Sequence, residues 1–354
     1  MNKQTKRIIM KNITKVGLSA LAGSLVMVSA NAVDYSMSGG LQSVYSTQNN
    51  PTGAESTNGK GLTTQTDLSF NASGELDNGF TVGYFMFLDT DANVSQTSSQ
   101  LTVGMGSLGT LQVNNKGGSK ANAIDDITPH AYNETWDGLS TVNPSTFGSI
   151  TSSGSLDYRI PAQELMGLTI NASVTLDPNA NETSASKGAV GTTSVAGTAY
   201  TAQIAHESGL EIGAGIESVD DADGKIKGSG TEEVTGYIKY AAGGLSVGYQ
   251  EAYTNSLNHQ LSGDTAVAPG ADVETTFMGI AYTAGDVTVS YGESTSQTKA
   301  VSATAALAEK ELESLQVAYT MGAMTIAAAM SETTGESAAT DKYEENTLSI
   351  NFAF

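Results

Sequence analysis

Residues 168–176 read LTINASVTL, a stretch in which every second residue is apolar and the residues between are polar or small. The same alternation recurs at 245–249 (LSVGY) and at 348–354 (LSINFAF). Successive side chains of an extended strand point to opposite faces of a sheet, so a period of two predicts strands with one apolar and one polar face. The chain is therefore predicted to be all-β.

Short and long connections alternate between these stretches. Seven short links carry turn residues, such as Asp77-Asn78-Gly79 and Gly243-Gly244, and the longest of the seven runs from Pro161 to Gly167. Eight longer polar links lie near residues 46–60, 90–97, 117–152, 178–194, 220–231, 255–270, 298–308 and 334–341. Fifteen links join sixteen strands, and short turns on one side with long loops on the other are typical of outer-membrane barrels. The pattern predicts a closed antiparallel transmembrane β-barrel of 16 strands.

One stretch has a different local preference. Residues 303–313 (ATAALAEKELE) consist of strong helix formers. They predict a short loop helix, followed by a strand that starts near Glu311.

The overall charge excludes one class of partner. The chain has 16 Lys and Arg against 37 Asp and Glu, which gives a formal net charge of −21, and it has no Cys. Nucleic-acid binding draws on basic side chains that neutralise phosphates, so no nucleic-acid partner is expected. The absence of Cys excludes disulfides and thiolate metal sites.

The N-terminal segment predicts export. Residues 1–32 carry five bases and no acid, include a short apolar run at 16–29 and end in Ala30-Asn31-Ala32. This arrangement is typical of a secretory signal peptide, here cleaved after Ala32. Residues 33–354 then form the mature barrel domain, which leaves the cytoplasm.

Motifs for catalysis and metal binding are weak. The GxGxxG at residues 104–109 is followed by strand-like TLQV instead of a helix, so it indicates a hairpin and not a dinucleotide site. No enzyme activity is expected, and a barrel hydrolase remains the enzymatic alternative. No cofactor is expected, although Asp220, Asp221 and Asp223 resemble the start of a calcium loop. Structural Ca²⁺ or Mg²⁺ could also bind an acidic rim formed by Glu251, Glu274, Glu293, Glu313, Glu332 and Glu344.

The third long link, residues 117–152, mixes apolar and acidic residues. Its apolar members are Ile124, Ile127, Tyr132 and Trp136, and its carboxylates are Asp125, Asp126, Glu134 and Asp137. A fully solvated loop gains nothing from the apolar groups, whereas a loop folded into a wide barrel packs them on the wall and presents its carboxylates to the channel. The link is predicted to be an inward-folded third extracellular loop that constricts the pore. The alternative is a surface loop that contacts a neighbouring subunit or lipopolysaccharide.

The mature chain resembles the general porins of Gram-negative bacteria, in particular those of alphaproteobacteria. Leu108-Gly109-Thr110-Leu111, which leads into Gly117-Gly118, is similar to the segment before the family's constriction loop. The ending Asn351-Phe352-Ala353-Phe354 is similar to the family's C-terminal strand, which implies that the barrel assembly machinery recognises Phe354. The resemblance further implies a homotrimer in the outer membrane, in contact with lipid and lipopolysaccharide. Each barrel would be a passive diffusion channel for small hydrophilic solutes and ions.

The charge pattern departs from that family, whose pores usually carry an arginine cluster opposite the acidic loop. Here the candidate basic residues of the pore wall are Lys116, Lys120, Arg159 and Lys239, while further lumen-facing acids are Asp67, Asp157, Glu211 and Glu217. An acidic excess between low-dielectric walls concentrates cations, so a cation-preferring pore is predicted. Two alternatives stay open: a substrate-specific porin for nutrient uptake, and a secreted soluble all-β surface protein or adhesin.

Overall fold

The computed structural model describes residues 34–49, 59–89, 94–136, 147–148, 154–178, 196–219, 231–256, 272–299, 309–335 and 342–354. Its strands are β1 (Asp34–Asn49), β2 (Gly59–Glu75), β3 (Thr81–Asp89), β4 (Ser95–Gly104), β5 (Thr110–Asn115), β6 (Leu156–Arg159), β7 (Gln163–Leu165), β8 (Leu168–Asp177), β9 (Gly197–His206), β10 (Leu210–Val219), β11 (Thr231–Ala242), β12 (Leu245–Ser256), β13 (Asp272–Ala284), β14 (Val287–Lys299), β15 (Glu309–Met321), β16 (Met324–Thr334) and β17 (Lys342–Ala353). Two 3₁₀ turns span Gly106–Leu108 and Asn122–Ile124. In these ranges, no helix is long and apolar enough to cross a membrane.

The strands close into a ring. Each crossing pairs antiparallel with the next one along the chain, and β17 pairs with β1 from Gly40↔Ala353 to Asn49↔Glu344. Gly39 and Phe354 complete the seam, because the backbone N–H of each donates to the carbonyl of the other, at 2.7 and 2.9 Å. A closed ring leaves no unpaired edge. The predicted antiparallel β-barrel is therefore confirmed.

One crossing is interrupted by proline. β6 and β7 both pair with β8 and are separated by residues 160–162, where Pro161 has no N–H to donate to the ladder. The 17 strand segments of the described chain thus make 16 crossings, as predicted. The prediction of one short link from Pro161 to Gly167 is wrong in detail. β7 occupies part of it, and the turn itself is Met166-Gly167, with φ of 53° and 80°.

The two faces of the wall reverse the polarity of a soluble protein. Large apolar side chains cover the outer face, where Ile238, Leu315 and Leu348 are about half exposed. Polar side chains occupy the alternate, inner positions, and Gln250 and Thr333 there are fully buried. An apolar exterior with a polar interior is typical of a barrel surrounded by lipid.

Aromatic side chains mark two levels on the outer face. Exposed members near the short turns and the chain ends are Tyr35, Tyr158, Tyr240, Tyr282, Tyr319, Phe352 and Phe354, and those towards the long links include Tyr45, Tyr200 and Tyr253. Tyr282 pairs with Leu245, which lies eight residues before Tyr253 on β12. At the rise of an extended strand that separation is about 26 Å along the strand. Two aromatic levels at this spacing match the two borders of a membrane.

The prediction of a helix over residues 303–313 is wrong for residues 309–313. β15 begins at Glu309 and pairs on both sides, with β14 and with β16. Alternation decides the outcome, because it buries Leu312 completely on the inner face while Glu311 and Glu313 lie on the outer face. Ladder hydrogen bonds and this burial outweigh the local helix preference. Residues 303–308 lie outside the described residues.

Gly209 provides a stability test of the short turns. Its φ is 92°, and a Cβ there would collide with the carbonyl oxygen of Ala241, whereas Gly79 has φ of 80° and open space around the same position. The left-handed conformation costs an L-residue about 1–2 kcal/mol, so Gly79→Ala should lose roughly that amount and Gly209→Ala clearly more. The temperature at which the folded band converts on heat-modifiable gels measures both. Equal losses would contradict the role of the Ala241 contact.

Candidate pore and its inner wall

The chain turns sharply after β5. Lys116, Gly117 and Gly118 have φ of 59°, 78° and 96°, a run of left-handed residues in which glycine removes most of the steric cost. The Gly118 carbonyl accepts hydrogen bonds from Gln112 Nε2 at 2.7 Å and from Arg159 Nη2 at 3.1 Å. These contacts direct the following residues, 118–136, here called the inner segment, along the inner face of the wall.

An apolar cluster holds the beginning of the inner segment. Ala121, Ile124 and Phe147 pack with Ala199 and Tyr237 of the wall, and Ile127 lies against them. All five clustered residues are almost completely buried. The apolar residues of this link therefore pack on the barrel wall.

Hydrogen bonds hold the middle of the inner segment. The backbone N–H groups of residues 127, 131 and 132 donate to Gln250 on β12, Ser290 on β14 and Gln316 on β15, at 2.9, 2.8 and 2.8 Å. Gln42 of β1 donates to the Tyr132 hydroxyl at 2.8 Å. The segment is thus bound to strands on both sides of the seam between β17 and β1.

The end of the inner segment packs on a second apolar group. Trp136 contacts Leu312 and Tyr343, which are fully buried on the inner faces of β15 and β17. Trp136 is also the single tryptophan of the chain.

The predicted loop carboxylates differ in their surroundings. Asp125 and Glu134 are partly exposed. Asp126 is 9% exposed, and its Oδ1 accepts hydrogen bonds from both the N–H and the hydroxyl of Thr128, each at 2.7 Å. Its charge therefore stabilises a turn of the segment itself. Asp137 lies outside the described residues.

Two of the predicted wall bases lie beside acids. Arg159 Nε is 2.7 Å from Asp157 Oδ2, and Asp157 is fully buried, with its Oδ1 accepting from the Thr175 hydroxyl at 2.8 Å. Lys239 Nζ is 3.7 Å from Glu211 Oε1. The structure thus brings together four of the predicted site residues as two ion pairs.

The other two bases belong to the start of the third link. Lys116 is exposed, and its Nζ donates to the Gln96 carbonyl at 3.1 Å. Lys120 is half-buried. Both residues lie at or near the sharp turn after β5.

The remaining predicted acids fall into three groups. Asp67 on β2 is half-buried and pairs with Asp89 of β3. Glu217 is 1% exposed and accepts the Gly148 N–H at 2.8 Å, so it anchors the third link. The candidate calcium ligands Asp220, Asp221 and Asp223 lie outside the described residues.

Acidic side chains form a row on the outer face, above the apolar band. Glu293, Glu313, Glu332 and Glu344 are direct cross-strand neighbours on β14 to β17. Carboxylate oxygens of Glu293, Glu311 and Glu313 all lie within 4.8 Å of one another. Two further members of the predicted rim, Glu251 and Glu274, lie on the outer faces of β12 and β13.

The outer row also carries a base. Lys342 Nζ binds Glu332 at 2.7 Å and Glu344 at 2.9 Å. One half of the row is therefore partly neutralised by an ammonium group, and in the other half the carboxylates of Glu293, Glu311 and Glu313 lie close together.

Sequence reasoning missed the wall residues that bind the inner segment. Gln250 and Gln316 occupy inner positions that alternation identifies as polar. Many other inner positions are equally polar, and the contact between Ile127 and Gln250 joins residues 123 apart in the chain. Their only sequence signal is an amide side chain at a strictly inner position beside small residues.

A closed ring of membrane-length strands with a polar interior defines a β-barrel channel of the outer membrane. Comparison with protein families matches residues 17–308 to the Gram-negative porins. The chain therefore belongs to the Gram-negative porin family. A comparison with curated proteins gives no match.

Solved porin structures share this fold at low sequence identity. A porin refined at 1.8 Å resolution is 15% identical with a TM-score of 0.61, and the alignment covers 91% of this chain and 100% of that one. The anion-selective porin from Comamonas acidovorans is 12% identical with a TM-score of 0.62, and the alignment covers 91% of this chain and 100% of that one. Salmonella typhi OmpF, in complex with daunomycin, is 14% identical with a TM-score of 0.62, and the alignment covers 92% of this chain and 98% of that one. Family and fold together identify an outer-membrane channel for passive diffusion, and they exclude a soluble surface protein.

The Arg159–Asp157 pair generates a test of wall charge. Asp157→Asn leaves the guanidinium uncompensated and should shift the reversal potential in a KCl gradient towards anions, while Arg159→Gln should shift it towards cations. Breaking a buried pair costs about 3–5 kcal/mol, so heat-modifiable migration must first show that both barrels fold. Shifts of the same sign in two folded variants would contradict a contribution of this pair to the pore field.

Proposed function

We propose that this porin is a cation-preferring diffusion pore for small hydrophilic solutes and ions, with residues 117–152 as its constriction. The observation that carries the proposal is the local pairing of Arg159 with Asp157 and of Lys239 with Glu211. Wall bases that are neutralised by wall acids cannot offset the charge of the loop. The formal net charge of the whole chain, −21, is negative like the charge of the loop.

The partly exposed loop acids supply the proposed selectivity. Asp125 and Glu134 belong to the inner segment, whose backbone binds the wall at Gln250 and Gln316. Low-dielectric walls focus the field of such groups and raise the local concentration of counter-ions. Asp126, which is buried against Thr128, contributes less to the field than Asp125 and Glu134 do.

Removal of the two loop charges should reduce cation preference. Asp125→Asn with Glu134→Gln should move the reversal potential in a KCl gradient towards zero, because the focused negative field weakens. The matched control, Glu207→Gln with Asp286→Asn, removes the same charge from short turns and should shift it much less. Planar-bilayer recordings of the three proteins make the comparison.

Screening adds a second criterion. The Debye length is about 8–10 Å near physiological ionic strength, so the difference between the wild type and the loop variant should shrink as salt rises. An anion-preferring wild-type pore, or a loop variant identical to it at low salt, would overturn the cation preference.

We also propose a homotrimer whose outer acidic row binds Ca²⁺ or Mg²⁺ shared with lipopolysaccharide. Glu293, Glu311 and Glu313 supply closely spaced carboxylate oxygens, the ligands that these hard cations prefer. Their position on the outer face, above the apolar band, matches the level of lipid headgroups.

Metal removal tests the outer row. A chelator should lower the temperature at which wild-type trimers dissociate on native gels, and Glu293→Gln with Glu313→Gln should abolish most of that decrease. Asp77→Asn with Asp286→Asn, two substitutions in short turns, should respond to the chelator as the wild type does. Trimers that are insensitive to chelator would show the row to be a solvated acidic surface.

Two processing steps complete the proposal. A signal peptidase cleaves after Ala32, and the barrel assembly machinery recognises Phe354. Phe354 is exposed at the end of β17, next to the seam, where a receptor can reach its ring.

A further inference from the structure

Gln250 binds one turn of the inner segment through both ends of its amide. Its Oε1 accepts the N–H of Ile127 at 2.9 Å, and its Nε2 donates to the carbonyls of Ile124 at 2.8 Å and Asp125 at 3.2 Å. The same Nε2 is 2.9 Å from the Thr235 hydroxyl on the neighbouring strand. The side chain is fully buried, so water does not compete for these bonds.

Gln316 binds a second turn in the same manner. Its Oε1 accepts the N–H groups of Tyr132 at 2.8 Å and Asn133 at 3.2 Å, and its Nε2 donates to the Asn133 carbonyl at 2.7 Å. Ser314, on the same strand, fixes the amide through a further bond of 3.0 Å. Gln316 is 3% exposed.

An amide suits this role because it offers an acceptor and two donors at once. The inner segment has little regular secondary structure, so its buried N–H and C=O groups need partners from elsewhere. Gln250 and Gln316, here termed the glutamine clasp, supply those partners as a neighbouring strand would. Ser290 binds the Ala131 N–H between the two clasp residues, at 2.8 Å.

The wall beneath the inner segment is indented. Gly248, Gly279 and Gly292 are direct cross-strand neighbours on β12, β13 and β14. A Cβ at Gly248 would lie 2.9 Å from Pro129 Cδ, one at Gly279 would lie 3.0 Å from the Pro129 carbonyl oxygen, and one at Gly292 would collide with Thr135. The three glycines therefore form a groove that the segment fills.

We infer that Gln250 and Gln316 are positioning residues that hold the inner segment in the glycine groove and so set the width of the open pore. The inference rests on the proposed constriction. Without the clasp, the buried polar groups of the segment lose their partners on the wall. The segment then leaves the groove and moves through the lumen, where it obstructs the current.

Single-channel recording tests the clasp. Gln250→Leu and Gln316→Leu should each cause loss of the single open level, with frequent partial closures and a lower mean conductance. Gln48→Leu is the matched control, because this inner-wall glutamine of β1 donates to the Glu345 carboxylate on the neighbouring strand β17 at 3.0 Å. The control should keep the wild-type level. Wild-type traces in both clasp variants, or equal disturbance in the control, would overturn the inference.

Glutamate variants separate positioning from simple packing. At Gln316 two segment N–H groups donate to the side chain and one segment carbonyl accepts from it, so Gln316→Glu keeps the two accepted bonds, loses the third and should restore part of the wild-type behaviour. At Gln250 the side chain donates to two segment carbonyls, so Gln250→Glu should behave like Gln250→Leu. Identical effects of glutamate at the two positions would contradict the hydrogen-bond assignment.

Fluorescence supplies a readout that does not require conductance. Trp136, the single tryptophan, packs on Leu312 and Tyr343 beside the clasp. Release of the segment should shift its emission to the red and increase quenching by acrylamide in folded Gln316→Leu protein. Unchanged emission would overturn the clasp. A wild-type barrel without conductance would overturn the proposed pore instead, whatever the emission.

A second pair of variants keeps both glutamines. Gly248→Ala with Gly279→Ala fills the groove and should produce the same partial closures and red shift. Gly83→Ala is the control, since a Cβ there meets its nearest atoms at 3.9 Å. Should the leucine variants fail to fold, this pair decides the question, and wild-type behaviour of the groove variant would overturn the inference.

Discussion

Backbone hydrogen bonding governs this structure. In hydrocarbon no water is present to pair with a free N–H or C=O, so a strand that crosses a membrane needs a partner on both sides. The ladder between β1 and β17 meets that need by closing the ring, and the Gly39–Phe354 bonds extend it to the last residue. A closed ring of 16 crossings leaves a wide interior. That interior requires a polar inner wall and has room for the inner segment.

The polarity of the wall follows from the closed ring. Since alternate residues of each strand face lipid and lumen, one alternating pattern supplies both surfaces. Ile238 and Tyr240 face outward, while Lys239 between them lies on the inner face beside Glu211. Charge on the inner face is costly unless it is hydrated or paired, and the two wall pairs meet this condition locally. The electrostatic character of the pore therefore depends on groups that these pairs do not neutralise.

Alternation and turn chemistry were sufficient to predict the barrel. Residues 168–176 form most of β8, and Gly243-Gly244 forms the turn between β11 and β12, because both signals are local. Pro161 was visible in the sequence, yet whether it ends a strand or interrupts one depends on the pairing of β7 with β8. The helix formers after residue 308 became strand for the same reason: pairing on both sides outweighs intrinsic preference.

The candidate site was less predictable because its contacts are not local. The composition of residues 117–152 indicated a segment with apolar and acidic groups, but no pattern identified Asp126 as a turn-stabilising carboxylate. Nor could the composition separate Gln250 from other inner polar residues, since its partners on the inner segment lie more than 120 residues away.

The inner segment meets the same hydrogen-bonding constraint as the wall, in a different way. The inner segment does not join the sheet, so it lacks the backbone ladder that pairs the N–H and C=O groups of the strands. Side-chain amides from β12 and β15 then replace the ladder, and a row of glycines lets the segment approach closely enough for those amides to reach it. Buried amides and a glycine row would weaken an ordinary strand, because they forgo apolar packing and side-chain volume. Their position beneath the segment offsets that cost. The wall thus gives up some of its own packing at these positions to bind the inner segment.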